Sequence, residues 1–393
     1  AVFAGSYGQW PGYDPLAFVV EECHKRGMEC HAFFVTFPVG TERMVREQGG
    51  ASVVRRHPEL CLQHRGSWYL DPGQPGTTDY LLSLVDEVVR NYDIDVIQFD
   101  YIRYPENAAT FPDNESYRRY GRGQRLNDWR RGNINRLMSR IHDRVKQLKP
   151  WVQVSSSPLG KYSKSGRTPN AKWTAYEDVF QDPKAWLQAG KQDMIVPMMY
   201  YRRSDFYPFV STWLEQSGQR NMVAGLGAYR LSRSEGDWNL SDISDQITYV
   251  RKQGGKGCAF FRAGFVIGLY NELKNRFFKY PAQLPPLTWM SSTHAAPCEP
   301  QEVHVTRERG GLRLRWEGSP DCLYTLYYAQ ADSIDLASAR SILATGIRTN
   351  EWFLPINADA EREYTFCVTA SNRYRIESRP SRSTYYYFSR YDK

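Results

Sequence analysis

The stretch of the chain richest in chemistry runs Tyr92-Asp93-Ile94-Asp95-Val96-Ile97-Gln98-Phe99-Asp100-Tyr101-Ile102-Arg103-Tyr104-Pro105. Val96, Ile97 and Phe99 make a short apolar run of the kind that forms a buried strand, and Asp100 stands at its C-terminal end. A carboxylate is costly to bury without a partner. Arg103 could supply one, which leaves two readings: a structural Asp100–Arg103 ion pair, or a catalytic carboxyl. The catalytic reading gains weight if the strand belongs to a barrel, whose sites lie at strand C-termini. Asp93 and Asp95, at the other end of the strand, read as caps or surface groups.

A strand-end carboxyl suits glycoside hydrolysis, which uses two carboxyl groups across the scissile bond, ~5–5.5 Å apart for retention or ~6.5–9.5 Å for inversion. The other strand ends offer no second acid: His-Ala-Phe-Phe-Val-Thr from His31, VSSSPLG (154–160), GLGAYR (225–230) and FFRAG (260–264) carry none. A partner for Asp100 must come from a loop, where Asp71, Glu106, Glu177, Asp178 and Asp205 are available, or from chain ahead of residue 1. Asp71 and Glu106 are nearest in register. Asp71, in Leu70-Asp71-Pro72-Gly73, equally fits a turn cap, and Glu106 a solvated loop.

Tyr101, Tyr104, Tyr200, Tyr201 and Tyr229 fall at strand ends, where rings can stack on sugars or simply pack. Arg103 and Arg202 suit a carboxylate on a substrate of muramic-acid or uronic type, or an Asp partner. His31 lies early in its strand and is either a core or a site residue. No GxSxG, HExxH, GxGxxG or Walker loop occurs, so no metal, nucleotide or other cofactor is expected.

The elements that must position these groups alternate regularly from residue 14 to about 280. Asp14-Pro15 gives an N-cap with Pro at N1, followed by Leu16, Val19, Val20 and Cys23 at helical spacing and a closing Gly27. Further helices are marked by Leu81, Leu84, Val85 and Val88, starting at Thr77/Thr78, by Ile134 to Leu148, and by Asp182-Pro183 to Gly190. Three more cover about 206–217, Ile243 to Val250 and about 266–278. The strands between them are 28–37, 93–101, 152–157, 193–201, 222–229 and 255–264. Six apolar strands separated by helices predict a parallel sheet. The regular repeat, with polar and aromatic residues gathered at strand C-termini, favours a barrel over a doubly wound sheet.

Residues 281–297 are Pro-rich and patternless, a linker. Beyond it, 302–306, 312–318, 323–330 and 363–372 alternate with turn residues and predict a β-sandwich over 298–393, with a short turn near Asp335–Ser341. Trp316 falls where such domains bury a Trp, and Tyr364 suits a tyrosine corner. The pattern resembles a fibronectin type III module.

Composition fits a soluble protein of two domains: 393 residues, 41% hydrophobic and 24% charged. Aromatics reach 14%, with 27 Tyr and 11 Trp, which suits sugar stacking as well as cores. The net charge of +8 is scattered rather than gathered into a stripe, which argues against a nucleic-acid partner. The seven cysteines form no CxxC pair and read as reduced, mostly buried thiols. No apolar run of ~18 residues spans a membrane. No signal peptide is present, and oligomeric state is not readable from these patterns.

YDIDVIQFDYIRYP, with Leu70-Asp71-Pro72-Gly73 before it, resembles the glycosyl-hydrolase-like 10 family of bacterial envelope proteins. So do DPLAFVVEECHKRGMECHAFF (14–34), WRRGNINRLMSRIHDRVKQLKP (129–150), VSSSPLG and DPKAWLQAGKQDMIVPMMYY (182–201). The resemblance covers essentially all of residues 11–270. It implies a (β/α)8 TIM-type barrel over residues 1–280, an exported, periplasmic or cell-surface protein, and action on a polysaccharide such as peptidoglycan glycan strands. Members usually begin with two further strands, so the barrel is expected to lack its first two here. Many also carry two adjacent Asp after the strand, where this chain has Asp100 and Tyr101. A lone rim acid admits a rival reading, a non-catalytic glycan-binding protein on the same barrel.

Overall fold

Alternating apolar strands and amphipathic helices fold here into one parallel sheet. Its strands are β1 (His31–Val35), β2 (Val96–Asp100), β3 (Gln153–Ser156), β4 (Met194–Ile195), β5 (Asn221–Leu226) and β6 (Gly257–Phe260). The computed structural model describes residues 2–3, 6–7, 10–164, 168–290, 295–356 and 361–389. The six strands pair in sequence order, every neighbouring pair parallel. A doubly wound sheet reverses its order at a switch point; this one does not. It is a partial TIM-type barrel, with β1 and β6 as its edges.

The chain divides into two compact units, Ala1–Phe18 with His31–Leu269, and Val19–Cys30 with Tyr270–Lys393. In the first, side-chain alternation sends Ile97 and Phe99 of β2 towards the helices and Gln98 and Asp100 to the concave face. Phe99 meets Phe34 of β1, ring centroids 5.4 Å apart. Helix Pro75–Asn91 buries Leu81, Val85 and Val89, and it starts at Pro75 rather than Thr77 because Pro occupies its first turn. Helix Leu126–Leu148 begins two turns ahead of the apolar periodicity at Ile134. Its early turns are fixed by buried Trp129 and by Arg130, which pairs with Asp113 at 2.5 Å.

Two expectations need correction in this unit. The segment 193–201 holds only the two-residue β4, after which Pro197 removes a ladder donor and Met198 makes single bridges to Leu159 and Gly225. Between β1 and the Pro75 helix lies an unforeseen antiparallel sheet of Pro38–Thr41, Ser67–Leu70 and Cys61–His64.

The second unit is built of β7 (His304–Glu308), β8 (Gly311–Arg315), β9 (Leu323–Ala329), β10 (Ile342–Ile347), β11 (Glu351–Pro355), β12 (Arg362–Ser371) and β13 (Thr384–Phe388). They form antiparallel sheets β7-β8-β11 and β10-β9-β12-β13. Leu312, Leu314, Trp316, Tyr324, Leu326, Phe366 and Val368 share one apolar core. Strands β10, β11 and β13 were not foreseen, and Ala339–Ser341 is the short turn expected there, capped by Ser338. The closing helix is shorter than expected, Tyr270–Phe277. The Pro-rich stretch is partly anchored: Leu287 is buried and donates its N–H to the Tyr374 carbonyl. Residues 19–30 also belong to this unit. Gly27 needs its freedom here, with φ +67° and so little room that a Cβ would lie 2.0 Å from the Thr345 carbonyl oxygen.

Candidate active site

Register places the strand ends on one rim. Val35 pairs with Asp100, and Phe99 with Ser156, so the C-termini of β1, β2 and β3 end together. The Asp100 carbonyl accepts from the Thr36 amide at 3.0 Å and its hydroxyl at 2.9 Å, which pins the end of β2. The Asp100 carboxyl, 8% exposed, accepts the Tyr101 amide at 2.8 Å, with Tyr101 in the left-handed region at φ 51°. Burial pushes this carboxyl above the usual range, while the Tyr101 amide and the charge of Arg103 only partly oppose it. Two residues earlier, on the same face, Gln98 donates to the Ser157 hydroxyl at 2.5 Å, making the concave wall beneath Asp100 polar.

Arg103 is nearly buried and packs over the rings of Tyr101 (4.8 Å) and Trp173 (5.9 Å). It donates to the Tyr104 carbonyl at 3.3 Å. The Asp100–Arg103 ion pair of the structural reading does not form: Arg103 has no carboxylate within 4.0 Å among the described residues. Burial lowers its pKa, opposed by the nearby Tyr101, Asp100, Glu106 and Tyr69.

After β4, β5 and β6, the rings of Tyr200, Tyr229 and Phe261 form a trio. Tyr200 stacks on Phe261 at 5.7 Å and meets Tyr229 edge-on at 5.6 Å, and Tyr229 lies 5.8 Å from Phe261. Burial first, then the charge of Asp100, raises the Tyr200 phenol, so it stays a hydroxyl donor beside that carboxyl. The Tyr201 phenol is pushed up to about 12 by burial and Asp205, and Lys161 lies over its ring at 4.7 Å.

Asp100, Tyr101, Arg103, Tyr200 and Tyr229 are thus on one rim, and Tyr104 and His31 are not. Tyr104 is wholly buried between Phe111 and Phe180, with Asn133 donating to its hydroxyl at 3.2 Å, so no ring face is open to a ligand. The chain turns at left-handed Tyr101, and the strand's alternation no longer applies three residues on. His31 pairs with Val96 at the opposite end of the strands from Asp100. Arg202 packs over Trp238 at 5.4 Å and reaches Asp242 at 3.4 Å.

The loop carboxyls separate in the same way. Asp71 is buried, accepts the Gly73 amide at 2.8 Å and the Ser116 hydroxyl, and so closes its own turn; burial raises it to about 6. Glu177 and Asp178 accept from Thr174 at 2.5 and 3.0 Å, and Asp205 pairs with Lys161 at 3.1 Å. Glu106 is exposed, with its carbonyl against the His64 ring at 3.3 Å, and its charge acts on Arg103.

Trp173, Phe261, Tyr69 and Gln98 were not anticipated. Only Gln98 carried a usable signal, since it shares Asp100's parity in β2. Trp173 sits in a loop at φ 59°, where no periodicity operates. A buried carboxyl whose pKa is raised, a buried cation and a wall of phenols can donate a proton to a leaving oxygen and hold sugar rings. Among the described residues no cluster of His, Cys, Asp and Glu is arranged for a metal, and no helix is long and apolar enough to cross a membrane.

The sequence profile of the family described as glycosyl hydrolase-like 10 matches residues 2–222. The chain is 29% identical over 427 residues to glycosyl hydrolase YngK of Bacillus subtilis, covering 98% of this chain and 82% of that protein. It is 32% identical over 264 residues to glycosyl hydrolase DigH of Escherichia coli K12, covering 61% and 60%. Among solved structures, the PgaB (BpsB) glycoside hydrolase domain from Bordetella bronchiseptica aligns over 67% of this chain and 79% of its own, at TM-score 0.47 and 13% identity, too distant a likeness to argue from. The profile spans more than half of the chain, which therefore belongs to the glycosyl hydrolase-like 10 family.

Proposed function

We propose that the protein hydrolyses O-glycosyl bonds of a polysaccharide, with peptidoglycan glycan strands as the favoured substrate, and that it does so at the rim around Asp100. The observation that carries this reading is the Asp100 carboxyl itself, buried and raised at the end of β2 beside Tyr200. Asp100 serves as proton donor and acceptor, and exposed Glu106 is the loop carboxyl best placed to complete a pair. Tyr101, Tyr200 and Tyr229 hold sugar rings. Asp71 is assigned to its turn rather than to the reaction. The antiparallel sheets of residues 298–393 support a fibronectin type III-like module that presents the barrel (1–280) to a polymer, and family membership supports export to the envelope.

Purified glycan strands and a polysaccharide panel provide the test. Reducing ends should appear with the wild type and fall by ~10²–10⁴-fold in Asp100→Asn, with circular dichroism unchanged. The rival, a glycan-binding protein without catalysis, has one observation in its favour: among the described strands of the parallel sheet, Asp100 is the sole carboxyl at a C-terminal end. Binding without release on any substrate would establish the rival.

A further inference from the structure

We infer that Arg103, held between the rings of Tyr101 and Trp173, is the anion-binding element of a specificity subsite beside Asp100, and that this subsite takes a sugar bearing a carboxylate. The inference rests on the glycan-hydrolase reading and names the substrate class for it. Arg103 is 6% exposed, yet of its five N–H donors a single hydrogen bond uses one, to the Tyr104 carbonyl at 3.3 Å. Its Nε is buried without a hydrogen-bond partner. Asp100 and Glu106 act on the guanidinium only through space, neither within ion-pair distance. A desolvated cation with spare donors is an unfavourable arrangement in a resting protein, and such groups persist where a ligand completes them.

The flanking rings point the same way. Tyr101 and Trp173 are 43% and 36% exposed, and both hold left-handed backbone conformations, at φ 51° and 59°. Bulky side chains rarely adopt that region, and strain of this kind gathers at ligand sites. The guanidinium lies over both rings, 4.8 and 5.9 Å from their centroids. A sugar stacking on the exposed ring surface brings its carboxylate beside Arg103, whose unused N–H groups can bind it side by side. A neutral sugar at the same place leaves those donors unmatched, and that difference is the discrimination.

The test compares one glycan in two forms: strands with free sugar carboxylates, and the same strands with the carboxylates reduced to alcohols. By calorimetry the wild type should bind the acidic form at least about tenfold more tightly. Arg103→Met should abolish the preference. Arg103→Lys should restore part of it, because the charge returns without the planar fork. Trp173→Ala, at a half-exposed position, should weaken binding of both forms by about fivefold or more and leave their ratio intact. Equal binding of the two forms by the wild type, or a preference that survives in well-folded Arg103→Met, overturns the inference. Calorimetry reads the subsite whether or not a bond is cleaved. Acidic preference without reducing-end release would sink the hydrolase reading and keep the subsite; release without preference would do the reverse.

Discussion

The two ends of the parallel sheet each bury an aspartate, and they treat it in opposite ways. At the N-terminal end Asp193 lies just before β4, 1% exposed. Its carboxylate takes Lys146 at 2.7 Å, the Val154 amide at 2.9 Å and the His142 ring at 3.9 Å. Burial alone would raise this carboxyl, but those partners outweigh it and hold the group well below the usual carboxylate range. At the C-terminal end Asp100 has one amide and a cation beyond ion-pair reach, and burial wins. Asp193 is matched so completely that it can only be structural. Asp100 is left undersatisfied at the rim, and undersatisfied groups are where a fold does chemistry.

Removing the matched carboxylate should give the largest effect. Asp193→Ala takes the carboxylate away from partly buried Lys146, which also donates to the Val152 carbonyl, and breaking a buried pair of this kind typically costs about 3–5 kcal/mol. The unfolding free energy from urea titration of the barrel should fall accordingly, whereas Asp100→Asn should change it by less than about 1 kcal/mol. Because the folded pKa of Asp193 is depressed, its contribution is full above its unfolded value of 3.8 and is lost as pH falls below that. Wild-type stability should therefore drop steeply in acid, and Asp193→Ala should flatten the drop. Equal unfolding free energies for the two variants would remove the contrast.

Asp71 falls between these extremes, buried like Asp193 but satisfied only by neutral donors. Its folded pKa of about 6 lies above the reference 3.8, so ionising it costs the folded state about 3 kcal/mol at neutral pH. That stability is present below pH 3.8 and is lost as pH rises through 6. Asp71→Asn keeps an oxygen for the Gly73 amide and gains a donor for Ser116, and it removes the ionisation. The variant should be up to about 3 kcal/mol more stable at pH 7, and the difference should shrink towards pH 4. Denaturation at the two pH values measures it; a destabilised variant at pH 7 would show that the negative charge is needed there.

How far this contrast could be read from sequence depends on what each residue's neighbours repeat. The end of β2 was legible because Val96, Ile97 and Phe99 define a strand and a charge must follow it. The alternation of strands with helices likewise fixed the parallel sheet. Asp193 was not legible as a structural anchor, since Lys146, His142 and Val154 come from elements 39 to 51 residues away and no local pattern links them. Tyr104 misled because a left-handed turn at Tyr101 cancels strand parity. Trp173 and Phe261 sit beyond regular structure, where an aromatic residue announces nothing about its face. The insert strands Pro38–Thr41, Cys61–His64 and Ser67–Leu70, four residues each, are too short to show a period.

The smallest expected effect is also the sharpest test of why Asp100 differs from Asp193. Arg103 is the one cation acting on Asp100, and it favours the carboxylate from a distance rather than by contact. Arg103→Met withdraws that help while leaving burial unchanged, so the carboxyl must hold its proton to higher pH. If Asp100 donates the proton, the alkaline limb of kcat/KM moves up; if it accepts one, the acid limb does. Either way the displacement is upward, and Arg103→Lys should bring the limb back towards the wild type because the charge is restored. Salt should change the wild-type limb little, since a charge pair this buried is weakly screened. A limb that stays in place in Arg103→Met would mean that the titrating group is not Asp100. The rim's chemistry would then have to be rebuilt around Glu106, whose exposure leaves it open to solvent and to salt.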